Sequence, residues 1–257
     1  MTQSTTSSAD VQHISLLDSL DGEWLKLPLA AIEDVGPATQ TLGAILRITK
    51  KETFVAAEGI AEKAGLPLAT VRKHLVTLDD HGWIKNAGRG HTRAGRPRRT
   101  CTINVTAKTL AAKEYLVLPW WACCRGIIAV GRLSWSTKVV LALVMSQIMT
   151  LKAAAEQQDG HGVDAYDLIG AIEHMGGDER FAFTLDTGLS RIGLCRDSAI
   201  AGKRELHRLG IVTITESERD DGGTPRDLLI PNWDFRVVQT PARQGYSYIA
   251  FDAKGGA

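Results

Sequence analysis

The sequence predicts a mainly helical α+β protein with small β-hairpins, in which one structural unit is used twice in tandem. Three observations carry this expectation. A chain of 257 residues has room for two cores, because one core serves roughly 100–150 residues. Apolar residues recur at helical spacing over short stretches bounded by glycine or proline, and alternating segments follow them. The same order of segments then returns in register. The units are expected at residues 22–110 and 111–240, between tails 1–21 and 241–257.

The stretch 1–21 is expected to be a disordered acidic tail. Its start, Met1 to Asp10, is rich in Ser and Thr and lacks the basic residues and apolar run of a secretory signal. From Pro37, the run TQTLGAILRIT places Leu42, Ile45, Leu46 and Ile48 at helical spacing. A β-prone piece, Thr53-Phe54-Val55, comes next, then a brief helix from Glu58 to Ala64 that Gly65 stops. Pro67 suits the opening of the following helix, Leu68 to His81, since its missing amide would be unsatisfied there anyway. That helix puts Val71, Leu75 and Leu78 on one face and Thr70, Arg72, Lys73 and Thr77 on others. His74 reads as a packed or half-buried histidine. Gly82 ends the helix, Trp83-Ile84 begins a strand, and the alternation from Cys101 to Val105 marks its hairpin partner.

The second unit repeats these landmarks. Glu58-Gly59-Ile60, Gly65-Leu66, Leu78, Gly82 and Ile84 correspond to Asp186-Thr187-Gly188, Gly193-Leu194, Leu206, Gly210 and Val212, all 128 residues later. Upstream, GEWLKLP at Gly22 to Pro28 returns as KEYLVLP at Lys113 to Pro119, an offset of 91, and PATQTLGAIL returns as WSTKVVLALV from Trp135, an offset of 98. The growing offset implies an insertion at 151–178 in the second unit, within which Asp164 to Met175 is suited to an extra helix.

The formal net charge of +1 conceals a strong asymmetry. Residues 1–36 carry six acids against Lys26 alone, whereas 37–110 carry thirteen Lys/Arg against five acids. A neutral total therefore hides a basic first unit, the footprint expected of a polyanionic partner. The longest apolar stretches, Leu116 to Cys124 and Val139 to Met149, are too short or too polar-flanked to cross a bilayer, so a cytoplasmic protein without a membrane partner is expected. Four cysteines lack the paired C-x-x-C spacing of zinc sites and read as small buried residues, so no metal or other cofactor is expected. No Walker, H-E-x-x-H or G-x-S-x-G motif is present, and no catalytic residue is expected.

The order helix, strand, helix, helix, hairpin resembles the winged helix-turn-helix proteins. At Gly95-Arg96-Pro97-Arg98 the sequence is similar to the wing of PadR- and ArsR-like regulators. It also approaches the AT-hook core, from which Arg93-Ala94-Gly95 departs in spacing. The resemblance implies that Thr70, Arg72, Lys73 and Thr77 face the major groove of double-stranded DNA. The wing then follows phosphates or a narrow minor groove with Arg89, Arg93, Arg96, Arg98 and Arg99. The segment from Lys85 to Thr100 contains no acid, and Gly88, Gly90 and Gly95 keep its tip small.

In the second unit, Arg196, Ser198, Lys203 and Arg204 are the corresponding candidates for DNA. Its wing, Thr213 to Ile230, holds five acids against Arg219 and Arg226 and should be repelled by phosphate. The second unit therefore either uses its helix alone on DNA or has turned to protein contacts, which leaves a homo-oligomer or a protein partner open. Sequence-specific transcription regulation is the first function expected. Two related winged helices in one polypeptide also resemble plasmid and phage replication initiators, and an assembly adaptor that binds protein is the third reading.

Overall fold

The computed structural model describes residues 12–16, 24–48, 52–91, 97–123, 133–159, 192–217, 226–232, 235–243 and 246–252. Within them the fold is mainly helical with small antiparallel sheets, an α+β protein. The first half opens with β1 (Gln12–Ser15), β2 (Trp24–Pro28), α1 (Leu29–Val35) and α2 (Ala38–Ile48). Next come β3 (Glu52–Val55), α3 (Ala57–Ala64), α4 (Leu68–Asp80), β4 (Ile84–His91), β5 (Pro97–Val105) and a short α5 (Ala107–Leu110). The second half begins with β6 (Tyr115–Pro119) and a 3-10 turn (Trp120–Cys123), followed by α6 (Trp135–Asp159) and α7 (Arg196–Arg208). It closes with β7 (Val212–Ser217), β8 (Arg226–Pro231), β9 (Arg236–Arg243) and β10 (Tyr246–Asp252).

Local chemistry explains the elements that carry the candidate site. Gly65 adopts a left-handed backbone at φ 60° and stops α3, its amide donating back to Ala61 and Glu62 carbonyls. The chain turns through Leu66, which is buried, and Pro67 before α4 starts. Val71, Leu75 and Leu78 form the inward stripe of α4, so the helix docks by its apolar face and leaves the rest to solvent. The landmarks at an offset of 128 share their conformation. Gly65 and Gly193 have φ of 60° and 64°, and Gly82 and Gly210 have φ of 71° and 72°.

The two halves meet through a sheet of their own. β2 pairs antiparallel with β6 in the register Leu25↔Leu118, Lys26↔Val117 and Leu27↔Leu116. All four leucines are buried, and α2 and α6 lie against this ribbon. The backbone amide of Val117 donates to the Ser146 hydroxyl of α6 at 2.9 Å.

Several expectations need correction. The tail expected to be disordered contains β1, which pairs with β9, and Leu16 behind it is buried. The tail 241–257 contains β10 and the end of β9, so both ends of the chain close one sheet of order β1-β9-β10. Its seam is fixed by the Leu16 amide, which donates to the Phe235 carbonyl, and by the Phe235 ring, 5.8 Å from that of Trp121. The insertion at 151–178 begins as a continuation of α6 to Asp159, whereas the helix expected at Asp164 to Met175 lies outside the described residues. Cys123 is buried as expected, but Cys195 is exposed at the start of α7, where its bond to the Ser198 hydroxyl lowers its thiol pKa. Among the described residues, no helix is long and apolar enough to cross a membrane.

Candidate nucleic-acid interface

α4 presents a solvent face built from Arg72, Lys73 and Val76, three positions that helical spacing brings together. Val76 is 58% exposed, which makes it an apolar side chain at the centre of a polar face. Sequence reading missed it, although its place off the Val71-Leu75-Leu78 stripe was the available signal. Arg72 reaches Glu58 of α3 at 3.7 Å. Both side chains are more than half exposed, so this pair is weak and leaves the guanidinium to be recruited. Thr70 and Thr77 are half-buried, and the Thr77 hydroxyl donates to the Lys73 carbonyl at 3.3 Å. His74 is half-buried and shares a 2.8 Å hydrogen bond with Thr41 of α2.

The hairpin β4–β5 springs from the end of α4 and is fixed to it at the base. Asp79 on the last turn of α4 accepts from the Asn86 amide at 3.1 Å. Thr106, just past β5, donates to the Gly82 carbonyl at 2.7 Å, and Thr109 donates to that of Trp83. β3 completes a sheet of order β3-β5-β4, with Val55 opposite Cys101 and Glu52 opposite Asn104. Residues 97–100 of β5 therefore extend past the end of β3 and, among the described residues, pair with β4 alone. A strand of eight residues such as β4 is about 26 Å long.

Three of the five expected basic residues of this hairpin lie on its described strands. Arg89 lies on β4 opposite Cys101, and Arg98 and Arg99 lie on the outer part of β5. The register shifts on either side of Arg89, as at a bulge. Arg93 and Arg96 lie outside the described residues.

Beneath the hairpin sits an electrostatic clamp that sequence reading also missed. Asp34 of α1 accepts from Lys108 Nζ at 2.7 Å, from the Trp83 indole at 2.7 Å and from His81 Nδ1 at 2.9 Å. Lys108 also lies 4.4 Å over the Trp83 ring, a cation–π arrangement. The hydrogen bond from Lys108, aided by those of His81 and Trp83, outweighs the opposing desolvation and lowers the Asp34 pKa from 3.8 to about 2. One carboxylate thereby joins α1, the end of α4, the start of β4 and α5.

In the second half, Arg196 and Arg204 are exposed and Ser198 is half-buried. Lys203 is the exception. Expected as a DNA contact, it is 2% exposed and belongs to the inward stripe of α7 with Ala199, Gly202 and Leu206. The physical reason is helical phase: the offset of 128 that relates the halves puts Lys203 where Leu75 stands. The hairpin of this half, β7–β8, places Glu216 opposite Asp227 in its register.

Comparison with protein-family models, curated proteins and solved structures finds no match to this chain.

Proposed function

We propose that the chain is a sequence-specific double-stranded DNA-binding protein made of two tandem winged helix-turn-helix units. In this reading α4 enters the major groove and the β4–β5 hairpin is a wing that follows the phosphate backbone. The observation that carries it is the fixed pairing of two features. The exposed Arg72-Lys73-Val76 face of α4 is joined through Asp79 and Asn86 to a hairpin whose sequence from Lys85 to Thr100 carries six Lys/Arg and no acid.

The order of elements and the sheet order β3-β5-β4 support the winged-helix reading of the first half. The matched glycine conformations support extending it to the second. An α-helix fits the major groove, where base edges are distinguishable, while arginines on a projecting hairpin neutralise phosphates. Transcription regulation is the use that fits first. Replication initiation is a second reading, favoured by the β2–β6 ribbon, because two units joined within one chain need no symmetric partner.

The test is titration of the full chain into labelled random duplexes at low salt, followed by selection of bound sites from a random pool. Binding that weakens steeply with salt and yields a recurrent motif is the expected result. No binding at low salt would overturn the proposal.

A further inference from the structure

The way the two halves meet is itself symmetric. The repeat offset of 91 makes Lys26 the equivalent of Val117, Leu25 that of Leu116 and Leu27 that of Leu118. In the ribbon, Lys26 faces Val117, Leu25 faces Leu118 and Leu27 faces Leu116. Each residue thus meets the partner that its equivalent meets in reverse, the signature of an isologous two-fold contact.

A second point lies on the same axis. Gln40 of α2 and Lys138 of α6 are equivalents at the offset of 98, and they bond directly at 2.9 Å in the buried interior. A residue that touches its own equivalent lies beside the symmetry axis, and two such pairs define the line. α4 and α7, equivalent at the offset of 128, are then disposed around it as two symmetric elements.

Resting on the DNA-binding reading above, we infer that one chain reads a single duplex carrying two half-sites in inverted orientation and of unequal sequence. Inversion follows from the two-fold relation, since tandem units packed head to tail would demand a direct repeat. Inequality follows from the faces presented. Where α4 carries Arg72, Lys73 and Val76, the equivalent positions of α7 carry Ile200, Ala201 and Arg204. Val76 is exposed on the first face and Arg204 on the second, so the halves offer apolar and cationic groups at matching places. The phosphate grip is unequal too, because the second wing is acidic.

The experiment uses the full chain and the site selected from a random duplex pool. Two derivatives are compared with it: one with the second half-site reversed into a direct repeat, and one with about 5 base pairs, half a helical turn, inserted between the halves. Each change should weaken binding by about tenfold or more. Sedimentation should give one chain per duplex. Arg204→Ala should relax base preference in one half-site only, and Arg72→Ala with Lys73→Ala in the other. Both variants alter exposed residues, and circular dichroism would check that they remain folded. Preference for a direct repeat, two chains per duplex, indifference to both rearrangements, or both variants relaxing the same positions would overturn the inference while leaving DNA binding intact. Absence of binding to any duplex at low salt would instead overturn the DNA-binding reading and this inference with it.

Discussion

Lys138 of α6 donates a buried 2.9 Å hydrogen bond to the side-chain oxygen of Gln40 on α2, the residue at the same position in the other half. The Gln40 amide group in turn donates to the Ala64 carbonyl at the end of α3. A continuous polar chain therefore runs from the second half through the first to the turn that precedes α4. Removing one member leaves a buried group without its partner, which costs about 1–3 kcal/mol. Lys138→Met and Gln40→Leu should each lower stability by that amount in urea titrations. The double variant should cost less than the two together, by about 0.5–3 kcal/mol of coupling. Additive losses would mean that the two residues do not act as a pair.

In the proposed DNA complex, the charge of the β4–β5 hairpin acts apart from the reading of bases. If Arg96, Arg98 and Arg99 each meet a phosphate, replacing all three with alanine removes about 2.7 from the slope of log affinity against log salt. Binding should weaken on every duplex, because phosphate contacts carry no sequence. Lys203→Ala supplies the contrast. Its ammonium lies in the interior of the second half, so the substitution should cost stability, about 2–3 kcal/mol for the cavity, and leave the salt slope unchanged. An unchanged slope in the triple variant, or a lowered one in Lys203→Ala, would reverse these assignments.

The burial of Lys203 also shows what was legible in the sequence. The offset of 128 that marked Gly193 and Gly210 as equivalents of Gly65 and Gly82 also put Lys203 on Leu75. Reading Arg196 to Arg208 by charge instead of by phase hid this. Helices α3 and α4 and the hairpin were legible because their signals are local: a stripe of three apolar residues, a stop at Gly65 and an alternating strand. The sheet β1-β9-β10 was not. A four-residue strand in a polar tail carries almost no periodicity, and its pairing with residues 236–239 is a contact between opposite ends of the chain. Asp34 was equally hidden, since its partners lie 47, 49 and 74 residues away.

That carboxylate makes the base of the β4–β5 hairpin sensitive to acid. Because the folded pKa of Asp34 is lowered to about 2 from 3.8, its contribution is fully present above the unfolded value and is lost as pH falls through about 2. Asp34 is partly exposed, which screens the ion pair with Lys108 and keeps the effect modest. Asp34→Asn should lower the urea midpoint at pH 6 by the equivalent of about 1 kcal/mol. The difference from wild type should shrink between pH 4 and pH 2. A gap that stays constant across that window would show that the charge of Asp34 is not what holds the hairpin base.

In the second half, the docking of α7 depends on a glycine. A Cβ on Gly202 would stand 3.0 Å from the Ser136 carbonyl carbon and oxygen and 3.1 Å from the Thr137 nitrogen, all backbone atoms of α6. The same seam carries the bond from the Thr137 hydroxyl to Glu205. Two effects oppose each other in Gly202→Ala. Alanine gains about 1 kcal/mol of helix propensity over glycine, while forcing a methyl against unyielding backbone costs about 1–3 kcal/mol. Backbone cannot rotate away as a side-chain tip would, so the steric cost should win and α7 should move outward. The first half has no such constraint, because His74 fills the equivalent place and bonds to Thr41. Gly202→Ala should therefore destabilise the chain by up to about 2 kcal/mol, whereas His74→Ala should act through the lost hydrogen bond, at about 1 kcal/mol. Thermal unfolding of both variants checks the order, and a stabilised Gly202→Ala would show that α6 and α7 are not in close contact.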